Sequence, residues 1–169
     1  MTIEEIKSLI VDVPDFPKPG VMFKDITPIF ENAEAFSSLA KLLARQVSSR
    51  TTHLLGIESR GFILAAAMSQ HLACGLVLAR KPGKLPRPTF RESYELEYGT
   101  DSLEIHRHSL GSSDRVVIVD DVLATGGTAA AAERLCELSG ASVEQCLFLM
   151  DIPPLQGRNR LKSPVEVLF

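Results

Sequence analysis

The chain has 169 residues, 45% of them apolar and 23% charged, the composition of one globular domain rather than of a disordered, collagen-like or disulfide-framework chain. Eighteen Lys and Arg stand against 21 Asp and Glu, giving a net charge of −3. That balance argues against nucleic acid as the main ligand, yet it leaves room for a small anion held by a local basic patch.

Thr2 and Glu5 make a capping-box pattern, with Ile3, Ile6, Leu9 and Ile10 following at helical spacing. The same N-terminal stretch carries acids where a signal peptide has bases. No run approaches the ~20 apolar residues that span a bilayer, so no membrane contact is expected. Residues 12–20, DVPDFPKPG, are dense in proline and predict an irregular, stiff segment. A helix fits 33–48, capped by Asn32, with Phe36, Leu39, Leu43 and Val47 on one face. From there a beat of short apolar strands and alanine-rich helices begins. Strands are predicted at 53–57 (HLLGI) and 75–79 (GLVLA), around a helix at 61–73. A strand at 115–120 (RVVIVD) precedes a helix at 126–139, with Gly140 in the helix-ending position. Strands at 143–150 and 165–169 close the chain. The three cysteines, Cys74, Cys136 and Cys146, are scattered without CxxC spacing, which fits core residues in a reducing cytoplasm.

This alternation implies an α/β fold: a central, mostly parallel sheet flanked by helices, in a single domain, with ligands at the carboxyl ends of the strands. Residues 80–113 interrupt it with a basic half, RKPGKLPRPTFR, and an acidic half, ESYELEYGTDSLE; long insertions of this kind are usually functional. His106 and His108 are expected on one strand face. With no third ligand nearby they make a polar surface rather than a metal site.

The strongest constellation is VVIVDDVLATGGTAAAAERL, residues 116–135. A buried strand ends in Asp120 and Asp121, and a short turn leads through Ala124, Thr125, Gly126, Gly127 and Thr128 into a helix. Glycines let backbone approach a ligand, and the helix N-terminus offers free N–H groups and partial positive charge to a phosphate. The P-loop lysine is absent, as is GxGxxG, so a nucleoside triphosphate or dinucleotide cradle is disfavoured. Two carboxylates beside a monophosphate cradle suit a ribose 5-phosphate, accepting hydrogen bonds from a vicinal diol.

This block resembles the phosphoribosyl-diphosphate motif of the purine phosphoribosyltransferases. Four more segments, DFPKPGVMFKDITP (15–28), GIESRGF (56–62), ARKPGKLP (79–86) and ESYELEYGTDSLEIH (92–106), are similar in the same order to the adenine phosphoribosyltransferases. The resemblance covers nearly the whole chain. It implies the type I phosphoribosyltransferase fold, with a small N-terminal hood and base-binding segment (1–32) and a mobile active-site loop within 80–113. It further implies that Asp120 and Asp121 meet the ribose hydroxyls and that Ala124 to Thr128 hold the 5-phosphate. Diphosphate would fall to Ser59 and Arg60 in the loop 58–61, with Arg80, Lys81 and Lys84 as a second basic cluster. An arginine there reaches the neighbouring subunit's site in this family, so a homodimer is expected. Glu97 and Tyr98 match the residues assigned catalytic roles. Adenine would stack on Phe23 and be read by the main chain around Met22 and Lys24, with Ile152 as the opposite wall. Lys24 stands where arginine is commoner, and two prolines follow Ile152 where the family is often more hydrophilic.

The implied activity is transfer of the 5-phosphoribosyl group from phosphoribosyl diphosphate to adenine, giving AMP and diphosphate, with Mg²⁺ bound alongside the diphosphate. Two alternatives stay open. One is the same chemistry on hypoxanthine, guanine or xanthine; the other is a non-catalytic module that senses phosphoribosyl diphosphate.

Overall fold

A computed structural model describes residues 1–96 and 99–169. The N-terminal capping box forms as read: Thr2 accepts from Glu5 N–H and Glu5 answers to Thr2 N–H, starting helix α1 (Ile3–Lys7), whose Ile6 is buried. The proline-dense stretch is less irregular than expected. It contributes strand β1 (Val11–Pro14), which pairs antiparallel with β2 (Met22–Asp25) and places Pro14 opposite Met22. Helix α2 (Thr27–Glu31) follows, begun by Asp25 accepting from Thr27 N–H at 2.9 Å. Asn32 caps α3 (Ala33–Ala44) by accepting from Ala35 N–H.

The parallel sheet is built from β3 (His53–Ile57), β4 (Gly75–Ala79), β7 (Arg115–Leu123), β8 (Ser142–Asp151) and β9 (Val165–Val167), in the order β4-β3-β7-β8-β9. Helix α4 (Arg60–Ser69) crosses from β3 to β4, and α5 (Gly127–Leu138) from β7 to β8. Both sheet faces are covered, which is why the strands read as continuous apolar runs. Leu54, Val117, Val119 and Leu147 pack under the α1–α4 side, and Leu55, Ile118, Cys146 and Phe148 under α5.

Between β4 and β7 the insertion folds as an antiparallel hairpin, β5 (Thr89–Leu96) and β6 (Gly99–His106), lying against α5. The expectation of His106 and His108 on one strand face is not met. The strand ends at His106 and His108 falls in the following turn, while His106 Nδ1 lies 3.0 Å from Arg87.

One buried acid has a structural task that no local pattern announces. Glu133, 3% exposed on α5, accepts from the N–H groups of Lys162 and Ser163 and so ties the last connection to the helix. Burial first, then the Glu133 charge, pushes the Cys136 thiol up to about 12 and raises that of Cys146 as well, so both behave as inert core residues.

Candidate active site

Strands β3 and β7 are neighbours, so the turns leaving their carboxyl ends meet. Gly61, on the first turn of α4, permits this: a Cβ there would stand 2.5 Å from Val119 O and 3.1 Å from Asp120 Oδ1. With the helix that close, Arg60 Nε lies 2.8 Å from Asp121 Oδ2. The pair is close but poorly aligned, and Oδ2, though buried, has no hydrogen-bond donor among the described residues. The Arg60 guanidinium also sits 5.1 Å from the Phe23 ring centroid, over which it makes a cation–π contact. Three predicted elements are thereby joined: the base segment, the diphosphate turn and the carboxylate pair. Burial, and next the Asp121 carboxylate beside it, holds Asp120 well above the usual carboxylate range.

The predicted phosphate turn follows directly. Gly126 takes φ = +79°, a left-handed conformation glycine adopts without strain, and starts α5 with no side-chain cap. The first helical bond runs from Ala130 N–H to Gly126 O at 2.9 Å, which leaves the N–H groups of Gly127, Thr128 and Ala129 without intrahelical acceptors. Asp120, Ala124, Thr125, Gly126 and Thr128 all line one small cavity of ≈ 70 Å³. Gly157 braces this turn from behind, since a Cβ on it would stand 2.2 Å from Ala124 O.

The four predicted base residues separate onto two faces of β2. Met22 and Lys24, with Ile152, line a largely apolar cavity of ≈ 440 Å³, while Phe23 points the other way, toward Arg60 and edge-on to Phe16 at 5.0 Å. The Lys24 ammonium is engaged across the strands by both oxygens of Asp12, at 2.6 and 2.7 Å.

The basic cluster is not bare. Arg80 and Lys84 rest on Glu58, and Lys81 on Asp101 and the Tyr94 hydroxyl. Burial alone would lower the Lys81 pKa, but those two partners raise it instead. Ser59 is exposed at the turn, after a cis Glu58–Ser59 peptide bond. Glu97 and Tyr98 lie outside the described residues. Sequence reading missed Glu58, Asp101 and Tyr94 as partners of the cations. The acidic residue inside GIESRGF was the available signal, since a carboxylate near an anion-binding arginine calls for a cationic partner.

Among known families, the model of the phosphoribosyl transferase domain matches residues 25–160. An adenine phosphoribosyltransferase from Carboxydothermus hydrogenoformans is 51% identical over 158 residues, 93% of each chain. The chain belongs to the adenine phosphoribosyltransferase family. The crystal structure of the adenine phosphoribosyltransferase from Thermoanaerobacter pseudethanolicus superposes with a TM-score of 0.95 at 46% identity, covering 99% of this chain and 98% of that one. That from Saccharomyces cerevisiae, a complex with adenine and an imino-altritol bisphosphate, gives 0.91 at 37% identity over 99% and 98%. The similarity to these structures thus extends over nearly the whole chain.

Proposed function

We propose that the chain transfers the 5-phosphoribosyl group from phosphoribosyl diphosphate to N9 of adenine. The observation that carries this reading is the adjacency at the end of β7. A carboxylate pair, an uncapped helix N-terminus and an arginine in contact with an aromatic base platform lie side by side. Each suits one part of a single substrate pair: ribose, 5-phosphate, diphosphate and base.

In this mechanism the bond from C1 to the diphosphate oxygen breaks and the C1–N9 bond forms. The N9 proton is released, and the diphosphate keeps the electron pair of the broken bond. Positive charge develops on the ribosyl group, and Asp120 and Asp121 favour it electrostatically. The 5-phosphate is held by the free N–H groups of α5 and the hydroxyls of Thr125 and Thr128. Ser59, Arg60, Arg80, Lys81 and Lys84 receive the departing diphosphate. The base stacks on Phe23, whose ring adjoins Arg60, itself beside Asp121. Its edge is read by the β2 main chain: Pro14 has no N–H to give Met22, so the bonded pairs of the ladder are Val13–Phe23 and Val11–Asp25. The N–H and C=O groups of Met22 and Lys24 then face away from β1, free for a base. Ile152, fixed by its N–H to Leu123 O at 2.9 Å, stands with Met22 and Lys24 on the face of β2 away from the Phe23 ring. By resemblance Glu97 and Tyr98 act at the reaction centre under a closed hairpin, which keeps water from the reactive ribosyl group.

Among the described residues no group of three His, Cys, Asp or Glu is arranged to hold a metal. Two carboxylates fit Mg²⁺ brought in by the substrate, since this ion is commonly held by one or two carboxylates plus phosphate oxygens and water. When bound it neutralises charge on the diphosphate leaving group. Supplied with phosphoribosyl diphosphate, Mg²⁺ and equal amounts of adenine, hypoxanthine, guanine and xanthine, the protein is expected to form AMP as the main nucleotide. A dominant product from another base would replace the adenine assignment.

No helix among the described residues is long and apolar enough to cross a membrane, and we place the activity in the cytoplasm. The protein acts as a homodimer on this reading. Edge strand β4 turns Leu76 and Leu78 outward, 39% and 37% exposed, on the side of the sheet where α4 exposes Ile63. Replacing both leucines by Lys is expected to convert a dimer to a monomer in light scattering. A wild-type monomer, or a variant that stays dimeric, would remove this face from the assembly.

A further inference from the structure

Arg80, Lys81 and Lys84 crowd three positive charges into one short loop, and only a counter-charge can hold such side chains together. Glu58 supplies it from the neighbouring turn. Its Oε2 accepts from Arg80 Nε at 3.3 Å and from Lys81 N–H at 2.9 Å, and its Oε1 from Lys84 Nζ at 2.5 Å. Arg80 also donates from Nη1 to Lys84 O at 3.3 Å. The Glu58 side chain is only 12% exposed, against 31% for Arg80 and 48% for Lys84. The acid therefore lies beneath and the cations in front, and one negative charge against two positive ones leaves a surplus facing outward. A second buried acid, Glu104, holds the same loop by accepting from Gly83 N–H at 3.1 Å. Burial by itself would raise the Glu58 pKa, but the hydrogen bonds from Lys84, Lys81 and Arg80 prevail and hold it below the usual value.

We propose that Glu58 is a positioning residue for diphosphate: it gathers Arg80 and Lys84 at the carboxyl ends of β3 and β4 and presents their remaining donors together. This rests on Arg80 and Lys84 being diphosphate ligands. Two physical effects of opposite sign compete. A carboxylate near an anion repels it, so removing the charge would tighten binding. A carboxylate that assembles two mutually repelling cations aids binding, and its removal scatters them. Depth decides between them. The acid sits behind its partners, which screen it from the ligand, and preorganised donors bind better than mobile ones.

Glu58→Gln keeps the size and an acceptor for Lys81 N–H but removes the charge. Titrated with inorganic diphosphate and Mg²⁺ in a calorimeter, it is expected to bind roughly tenfold more weakly than wild type. The KM for phosphoribosyl diphosphate should rise in parallel, while the KM for adenine changes little. Glu58→Asp, which keeps the charge on a shorter arm, should recover part of the loss. A merely structural role would lower the melting temperature without separating the two KM values, and that result overturns the proposal. Unchanged or tighter diphosphate binding by Glu58→Gln overturns it too. The Arg80→Ala/Lys84→Ala variant tests the reading beneath. Wild-type diphosphate affinity there removes the ligands themselves, whereas weakened affinity beside an unaffected Glu58→Gln removes only the positioning role.

Discussion

Replacing Asp120 and Asp121 together by Asn is expected to lower kcat/KM by roughly three orders of magnitude, with only a small change in melting temperature. The two halves of this outcome have separate causes. On the proposed mechanism activity falls because the pair no longer places carboxylate charge beside the ribosyl group, and because amides accept less well from the ribose diol than carboxylates do. Stability stays nearly level because the substitutions pull in opposite directions. Asp120 has a folded pKa raised by burial and by its neighbour. Between the unfolded and folded values the native state holds the extra proton, so this group's contribution falls as pH rises through that window. Above the unfolded value the buried carboxyl therefore opposes folding, and the neutral amide introduced by Asp120→Asn relieves that opposition. At Asp121 the change separates Arg60 from its partner, at a cost of about 1–3 kcal/mol for a pair that is only partly buried. Thermal melts of the single variants should therefore show Asp120→Asn at or above wild type and Asp121→Asn below it. Wild-type turnover in the double variant would remove the carboxylates from the mechanism.

The second large effect is expected at Gly126. A Cβ there would stand 2.3 Å from Gly157 O, a backbone atom that cannot swing aside, at a φ of +79° where a side chain is itself strained. Strain of ~1–2 kcal/mol and overpacking of ~1–3 kcal/mol act together in Gly126→Ala. For a chain of this size that corresponds to a fall in melting temperature of about 5–15 °C. The affinity for phosphoribosyl diphosphate should fall further than stability does, because the displaced turn is the one we propose for the 5-phosphate. A calorimetric melt and a KM measurement check the two effects independently. An Ala variant with native melting temperature and KM would mean that the turn does not need its close approach to Gly157.

The parts of this molecule that are legible in its sequence are those encoded locally. The apolar runs at β3 and β4 are bounded by polar or glycine residues, and both strands occupy the predicted residues. The phosphate turn is equally readable, because carboxylates, glycines and helix start are consecutive. The pair β1–β2 is hidden by prolines, and only pairing with a partner strand makes extended structure of residues 11–14. His108 lies beyond a strand that stops two residues earlier, a boundary set by the turn after β6 rather than by alternation. The clamp by Glu58 is illegible for a different reason. Residues 58 and 80–84 meet because β3 and β4 are adjacent and parallel, so their outgoing turns converge on the same edge. The opposite facing of Phe23 from Met22 and Lys24 follows from strand alternation, once residues 22–25 are known to be a strand.

The most direct measurement is the conversion of adenine to AMP by the purified protein with Mg²⁺, followed spectrophotometrically with and without phosphoribosyl diphosphate. AMP and diphosphate should appear in equal amounts, only when phosphoribosyl diphosphate is present, over many turnovers. Tight binding of phosphoribosyl diphosphate with no nucleotide formed at saturating adenine would contradict the account and mark the chain as a binding module.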